Sequence, residues 1–344
     1  MKSQTSWSFC MRRICLLTAL LIAAPALATG EWRASSPSER VLDAASFQGV
    51  EQTITQHMED VQSVVVLLQG RVVYEFYRDK NPDTLRDQQS VAKSALSTLV
   101  GIALGQGRIA SLDQPVVALV PEWASLNRDP RAAAITVRHL LTMTAGFEVN
   151  DPRGTAASSP PRDAWSRTLV AAPGEKFAYD NSIVPLLSAV LEKATGMPLA
   201  DYARLHLVSP LAFAEPSYQR GLYLRTVDMA KLGQLFLQQG AWGGKQILPE
   251  AFVTAAVQPQ NAGGLPGAMP YGYMWWILPS NGPVKTFMAS GYAGQVIWVQ
   301  QPMGLVIAVT STVSPEGQRR GQFLQLIRAK LIPAAQERLA KEPR

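Results

Sequence analysis

The chain has 344 residues, a formal net charge of +6, 47% hydrophobic and 17% charged residues, and two cysteines. That hydrophobic share with so modest a charge load excludes a disordered or collagen-like chain and predicts a globular one with a sizeable core. The length allows one large domain or two average ones.

Residues 1–28 read as a targeting segment. Lys2, Arg12 and Arg13 form a basic region, Ile14 to Ala24 an apolar one, and Ala26-Leu27-Ala28 a small-x-small cleavage site, so a mature chain is expected to begin at Thr29. The Arg12-Arg13 pair leaves twin-arginine export open, although its flanks fit the general secretory route better. The apolar stretch is too short for a bilayer core of roughly 30 Å, which needs about 20 residues. A periplasmic or secreted protein with no membrane span after cleavage is therefore expected. Cys10 and Cys15 both lie in the segment, which excludes disulfides, thiolate nucleophiles and cysteine metal sites from the processed chain. Its removal leaves 29 basic against 26 acidic residues, a net of +3. No basic cluster is interleaved with aromatics, so nucleic acid is not an expected partner.

Residues Gln62 to Tyr77 alternate and are β-branched on both sides of Gln69-Gly70, which predicts a β-hairpin. From Ser90 to Leu104 the pattern is helical and apolar on most faces, closing at Gly105 and Gly107, so this helix is expected to be buried. Val149 to Asp163 is rich in Pro, Ser, Asp and Gly and reads as a surface loop. The stretch from Ile109 to Pro259 reads as helices with loops, and Gln295 to Thr310 returns to strand pattern with Pro302-Met303-Gly304 as its turn. A last amphipathic helix runs from about Gly317 towards Ala340, with a break or kink expected at Pro333. Strands at both ends with helices between them predict an α+β fold. One antiparallel sheet is built from both chain ends and flanked by helices, residues 29–344 form one domain, and a mostly helical region, roughly 109–259, is inserted. The cleft is expected at the seam between the two parts.

His57, His139 and His206 are scattered through helical patterns, and His139 reads as a structural helix residue. H-E-x-x-H, G-x-S-x-G and Walker A motifs are absent. What remains is Ser90-Val91-Ala92-Lys93, the only S-x-x-K in the chain, at the head of the buried helix. Positions i and i+3 share a helix face, so the lysine nitrogen can reach the serine hydroxyl. Burial and the positive end of a helix dipole both disfavour an ammonium, which leaves a lysine so placed able to take a proton where no histidine serves. The competing reading is a helix with one polar face. A second element, Tyr179-Asp180-Asn181, is the only Y-x-N and leads into a predicted helix from Ile183 to Thr195. A phenol beside a lysine can relay a proton, and the Asn amide can bond a substrate carbonyl and the lysine together. Taken alone, Tyr179 would read as a buried aromatic.

S-x-x-K at the start of a helix followed by Pro173-Gly174-Glu175-Lys176-Phe177-Ala178-Tyr179-Asp180-Asn181 resembles the penicillin-recognising serine hydrolases. The resemblance is particularly to the class C β-lactamase-like group that includes esterases and 6-aminohexanoate-dimer hydrolases. It runs from about Ser63 to Val313 and takes in the segments Ile135 to Phe147, Gly240 to Gly244, Tyr271 to Trp276 and Ala289 to Gln295. The resemblance implies Ser90 as nucleophile, Lys93 and Tyr179 as acid/base pair, and Asn181 as a substrate and lysine contact. It implies an oxyanion hole made of the Ser90 and Tyr292 amides. The family's third motif, Lys-Thr-Gly or His-x-Gly on the strand lining the cleft, falls on Ala289-Ser290-Gly291, without its cation. Lys285-Thr286-Phe287 copies the lettering but has no glycine where substrate must lie, so the later register is preferred. Trp275, Trp276, Phe147 and Met143 read either as walls of the cleft or as core.

The expectation is a serine hydrolase acting by acyl transfer on a small ester, amide or peptide, with no metal or organic cofactor and with the oligomeric state left open. The rivals are a D,D-peptidase or β-lactamase and, in another class, a non-catalytic penicillin-binding-like sensor.

Overall fold

The computed structural model describes residues 33–150, 156–280 and 286–342. The predicted targeting segment with Cys10 and Cys15, the middle of the 149–163 loop, and Lys285 lie outside the described residues. Eight strands form one antiparallel sheet: β1 (Val61–Leu68), β2 (Arg71–Tyr77), β3 (Asn261–Gly264), β4 (Met269–Tyr271), β5 (Trp276–Ile277), β6 (Thr286–Gly291), β7 (Gln295–Gln300) and β8 (Leu305–Ser311). Their spatial order is β2-β1-β8-β7-β6-β5-β4-β3.

The β-branched runs form strands where their alternation predicts them, because such side chains fit a pleated surface. β1 and β2 make the predicted hairpin, with Gln69 and Gly70 both in left-handed backbone. The sheet joins the two chain ends at β1 and β8, paired from Ser63 opposite Thr310 to Leu68 opposite Leu305. β8 is buried along its whole length, which explains its unbroken apolar run.

Two helices covering the sheet matter for the site: α1 (Val91–Gly105) and, later in the chain, α3 (Thr226–Leu237), with α2 (Ile183–Thr195) packed on α1. Twelve of the fifteen α1 residues are buried. The helix fits so closely that a Cβ on Gly101 would strike the Leu248 and Phe252 side chains. On α3, a Cβ at Gly233 would lie 2.6 Å from Ile297 and 2.7 Å from Val306, so this helix is seated directly on β7 and β8.

Two details depart from the sequence pattern. Helices predominate between residues 109 and 259, but two-residue strand pieces occur there at Tyr223–Leu224, Ala241–Trp242 and Lys245–Gln246, and three more short strands, β3 to β5, follow. The terminal helix breaks at Gly321 (φ 57) and not at Pro333. Pro333 falls in the first turn of the segment Ile332–Ala340, where a missing N–H costs little, and the turn before it, Ile327–Leu331, widens to a π-helix.

Candidate active site

Ser90 is the N-cap of α1, yet its hydroxyl makes no capping bond to the helix. Lys93 Nζ donates to Ser90 Oγ at 2.9 Å and to Asn181 Oδ1 at 3.0 Å. Lys93 is 4% exposed, so its side chain is buried. The same Nζ stands 4.9 Å from the centre of the Tyr179 ring, within cation–π range. The i, i+3 spacing and the Y-x-N loop thus bring three of the predicted residues, Ser90, Tyr179 and Asn181, to the Lys93 nitrogen. Among the described residues, no hydrogen bond joins the Tyr179 hydroxyl to Ser90 or Lys93. The phenol is held by its ring, which stacks on Trp276 at 5.8 Å with the planes 18° apart.

The Y-x-N loop is fixed from behind. Ala178 N donates to the Met143 carbonyl at 2.9 Å and Gly174 N to the Thr144 carbonyl at 2.8 Å, so the segment through Gly146 serves as a backbone rail. Between Tyr179 and Asn181, the Asp180 carboxylate is 3% exposed and fully engaged. It accepts from Arg167 Nη2 at 2.6 Å and from the Ser182 amide and hydroxyl at 2.9 and 2.7 Å. Arg167 also donates to the Ala164 and Glu148 carbonyls and lies over the Phe147 ring. Removing one partner of a buried pair strands the other charge. Arg167→Ala is therefore expected to lower stability by about 3 kcal/mol, more than Asp180→Ala, which leaves only the quarter-exposed arginine. Thermal or denaturant unfolding of the two variants checks the order.

Strand β6 forms the opposite wall. β5 pairs with it only at Phe287 and Met288, so from Ala289 onwards β5 does not cover that edge. Gly291 abuts the approach to the nucleophile: a Cβ there would lie 2.7 Å from the Gln88 carbonyl oxygen and 2.9 Å from the Gln89 Cβ. A side chain at 291 would push the strand away from Ser90. Ser290 is half-buried and Tyr292 is 43% exposed. Ala289, expected to face substrate, has no accessible surface. Alternation along β6 places 287, 289 and 291 on one face, and there Ala289 sits opposite Ile297, which packs under Gly233 of α3. Position 289 points into the layer between sheet and helices. Among the described residues, neither the Ser90 amide nor the Tyr292 amide has a protein acceptor.

The aromatic residues divide. Trp275 is fully buried against Phe236 and Phe287, while Phe147 and Met143 are 2% and 1% exposed, all in the core. Trp276, with Phe177 and Tyr271, backs Tyr179 and so belongs to the site. Burial pushes the Tyr271 hydroxyl well above its ordinary range, with Tyr179 adding to the shift. His139 is structural: its Nδ1 accepts from the Thr136 amide at 3.2 Å in a capping box, and burial lowers its pKa.

A mixed α+β fold with an eight-stranded antiparallel sheet, carrying S-x-x-K on a buried helix beside Y-x-N, defines a serine hydrolase of the β-lactamase/transpeptidase-like kind. Residues 50–330 match the sequence family described as beta-lactamase, and the chain belongs to that family. It is 23% identical over 345 residues to a 6-aminohexanoate-dimer hydrolase from Paenarthrobacter ureafaciens, covering 88% of this chain and 86% of that one. It is 28% identical over 211 residues to esterase EstB from Burkholderia gladioli, a match spanning 52% of this chain and about half (53%) of the esterase. Among solved structures, EstCE1, described as a hydrolase with promiscuous acyltransferase activity, superposes with a TM-score of 0.67 at 19% identity, covering 86% of this chain and all of that one. A penicillin-binding protein homologue from Caulobacter crescentus superposes at 0.66 and 17% identity, covering 86% of this chain and 98% of its own.

Proposed function

We propose that this chain hydrolyses small neutral esters or amides through an acyl-enzyme on Ser90. The observation that carries the reading is the 2.9 Å contact between Lys93 Nζ and a Ser90 hydroxyl that is not used to cap its helix. In the resting geometry Nζ–H donates to Oγ. Reaction needs the reverse, an unprotonated amine accepting Oγ–H across the same distance, so that Oγ attacks the substrate carbonyl carbon. The developing oxyanion is met by the Ser90 and Tyr292 amides, and the abstracted proton passes by way of Lys93 and Tyr179 to the leaving alcohol or amine as its bond to carbon breaks. Water then attacks the acyl carbon, and Ser90 regains its proton. Asn181 holds the substrate carbonyl side of the cleft and the lysine together.

The basic, apolar and small-x-small order of residues 1–28 supports export, with catalysis outside the cytoplasm. One experiment addresses both points. Protein purified from the periplasm or medium and treated with a p-nitrophenyl phosphonate is expected to carry a single adduct on the peptide containing Ser90 and to begin at Thr29. An adduct on another residue, or unimpaired turnover by Ser90→Ala, would end the acyl-enzyme reading; recovery of the protein only from the cytoplasm, with residues 1–28 intact, would end the export reading.

A further inference from the structure

The oxyanion site proposed above uses, beside the Ser90 amide, the N–H of Tyr292, which comes from the turn after β6. The turn is tight, Gly294 N donating to the Gly291 carbonyl at 3.3 Å. Ala293 has φ 60 and Gly294 φ 95, both left-handed, and a Cβ on Gly294 would lie 2.5 Å from the Phe323 ring. A turn held in this way needs something to fix its peptide planes, and two glutamines do so. The Tyr292–Ala293 peptide is bonded at both ends: its carbonyl accepts from Gln295 Nε2 at 3.2 Å and its N–H donates to Gln318 Oε1 at 2.6 Å. Gln295 is 1% exposed and is itself locked to the end of β8, accepting from Ser311 N at 3.1 Å and donating to Ser311 O at 2.9 Å. Gln318 reaches the turn from the short helix Pro315–Arg320, which Arg320 ties to Asp60 at the head of β1.

We infer that Gln295 and Gln318 are positioning residues for the oxyanion site, clamping the Tyr292–Ala293 peptide so that the Tyr292 amide keeps its aim. The physics is a matter of hinges. Gly291 is fixed by its pairing with Gln295 in the sheet. With the following peptide plane fixed as well, the Tyr292 N–H has little freedom to swing, and a donor that is already oriented costs no reorganisation when charge develops. Bonding both ends of one peptide also occupies the turn's own polar groups, leaving the preceding amide for substrate. This inference rests on the acyl-enzyme reading, since without an oxyanion there is nothing for the amide to meet.

Gln318 is the residue to test, because it is exposed and its replacement does not threaten the core as loss of buried Gln295 would. Gln318→Met keeps the length but removes the acceptor. It is expected to lower kcat for a p-nitrophenyl ester about 10-fold, a fraction of the 10²- to 10³-fold that outright loss of an oxyanion donor costs, with KM little changed. Affinity for a boronic acid, whose tetrahedral adduct on Ser90 places an oxygen in the same site, is expected to fall by the same factor. Gln318→Glu retains an acceptor and is expected to recover most of the rate, with melting temperature unchanged in both variants. A Gln318→Met enzyme with wild-type kcat overturns the clamp, as does a loss in Gln318→Glu as large as in Gln318→Met. An inactive Ser90→Ala beside an unaffected Gln318→Met would overturn the clamp alone, whereas full activity in Ser90→Ala would overturn the acyl-enzyme reading and the clamp with it.

Discussion

Lys93→Ala and Tyr179→Phe are each expected to lower kcat for an activated ester by about 10²- to 10⁴-fold, the usual scale of general acid/base catalysis. Lys93 Nζ is the node of the site, touching Ser90 Oγ and Asn181 Oδ1 and lying under the Tyr179 ring. Removing it takes away the only cation bonded to the Ser90 hydroxyl among the described residues. Lys93→Arg separates charge from basicity, because a guanidinium keeps the positive charge but does not give up its proton. That variant is expected to be as slow as Lys93→Ala. Groups that act as one relay are strongly non-additive, so the Lys93→Ala/Tyr179→Phe double variant is expected to be little worse than the worse single. Steady-state kcat and burst kinetics across the four variants decide the matter. Losses that multiply would mean that the two residues act independently and not as one relay, and a Tyr179→Phe enzyme close to wild type would mean that the phenol is a packing partner of Trp276 and nothing more.

Much of the architecture is legible in the sequence because its strongest signals are periodic. The alternation from Gln62 to Tyr77 and the apolar strand pattern from Gln295 to Thr310 predict β1, β2, β7 and β8, of which β1 and β8 join the two chain ends. The Ser90–Lys93 spacing carries its own geometry, since i and i+3 on a helix face each other wherever the helix goes. Strands β3 to β5 were not legible for the opposite reason. Each has two to four residues, and β3 reads Asn-Ala-Gly-Gly, a composition with no period and poor strand propensity. The burial of Ala289 had a usable signal, because strand parity with apolar Phe287 places it on the inner face. Trp275 and Trp276 are adjacent letters with different tasks: Met274 in left-handed backbone precedes them, and one ring turns to the core while the other backs Tyr179. Gln318 left no trace at all, being a polar residue on an exposed helix, brought to the turn after β6 only by the folded chain.

Activated esters of uncharged acids are expected to be turned over with a higher kcat/KM than esters of the same length ending in a carboxylate, and than penicillins and cephalosporins. The reason lies at position 289. In the penicillin-recognising enzymes that this chain resembles, the third-motif lysine helps hold the carboxylate of a β-lactam or of a terminal D-alanine. Such a charge-assisted contact contributes about 1.5 to 3 kcal/mol. Its loss corresponds to roughly 10- to 150-fold at about 1.4 kcal/mol per decade, a penalty that a neutral acyl group never meets. The structure also changes what the restoring mutation would do. Ala289 has no accessible surface and faces the layer filled by Ile297 and α3, so a lysine there has four extra side-chain atoms and no space for them. Ala289→Lys is therefore expected to overpack the sheet and cost about 1 to 3 kcal/mol of stability without creating a β-lactamase. Comparing p-nitrophenyl butyrate with the p-nitrophenyl half-ester of glutaric acid isolates the charge, since the leaving group is common and only the acyl terminus differs. Equal kcat/KM for the two esters, or nitrocefin hydrolysis as efficient as that of the butyrate, would show that another cation meets the carboxylate and that the missing lysine does not set substrate choice.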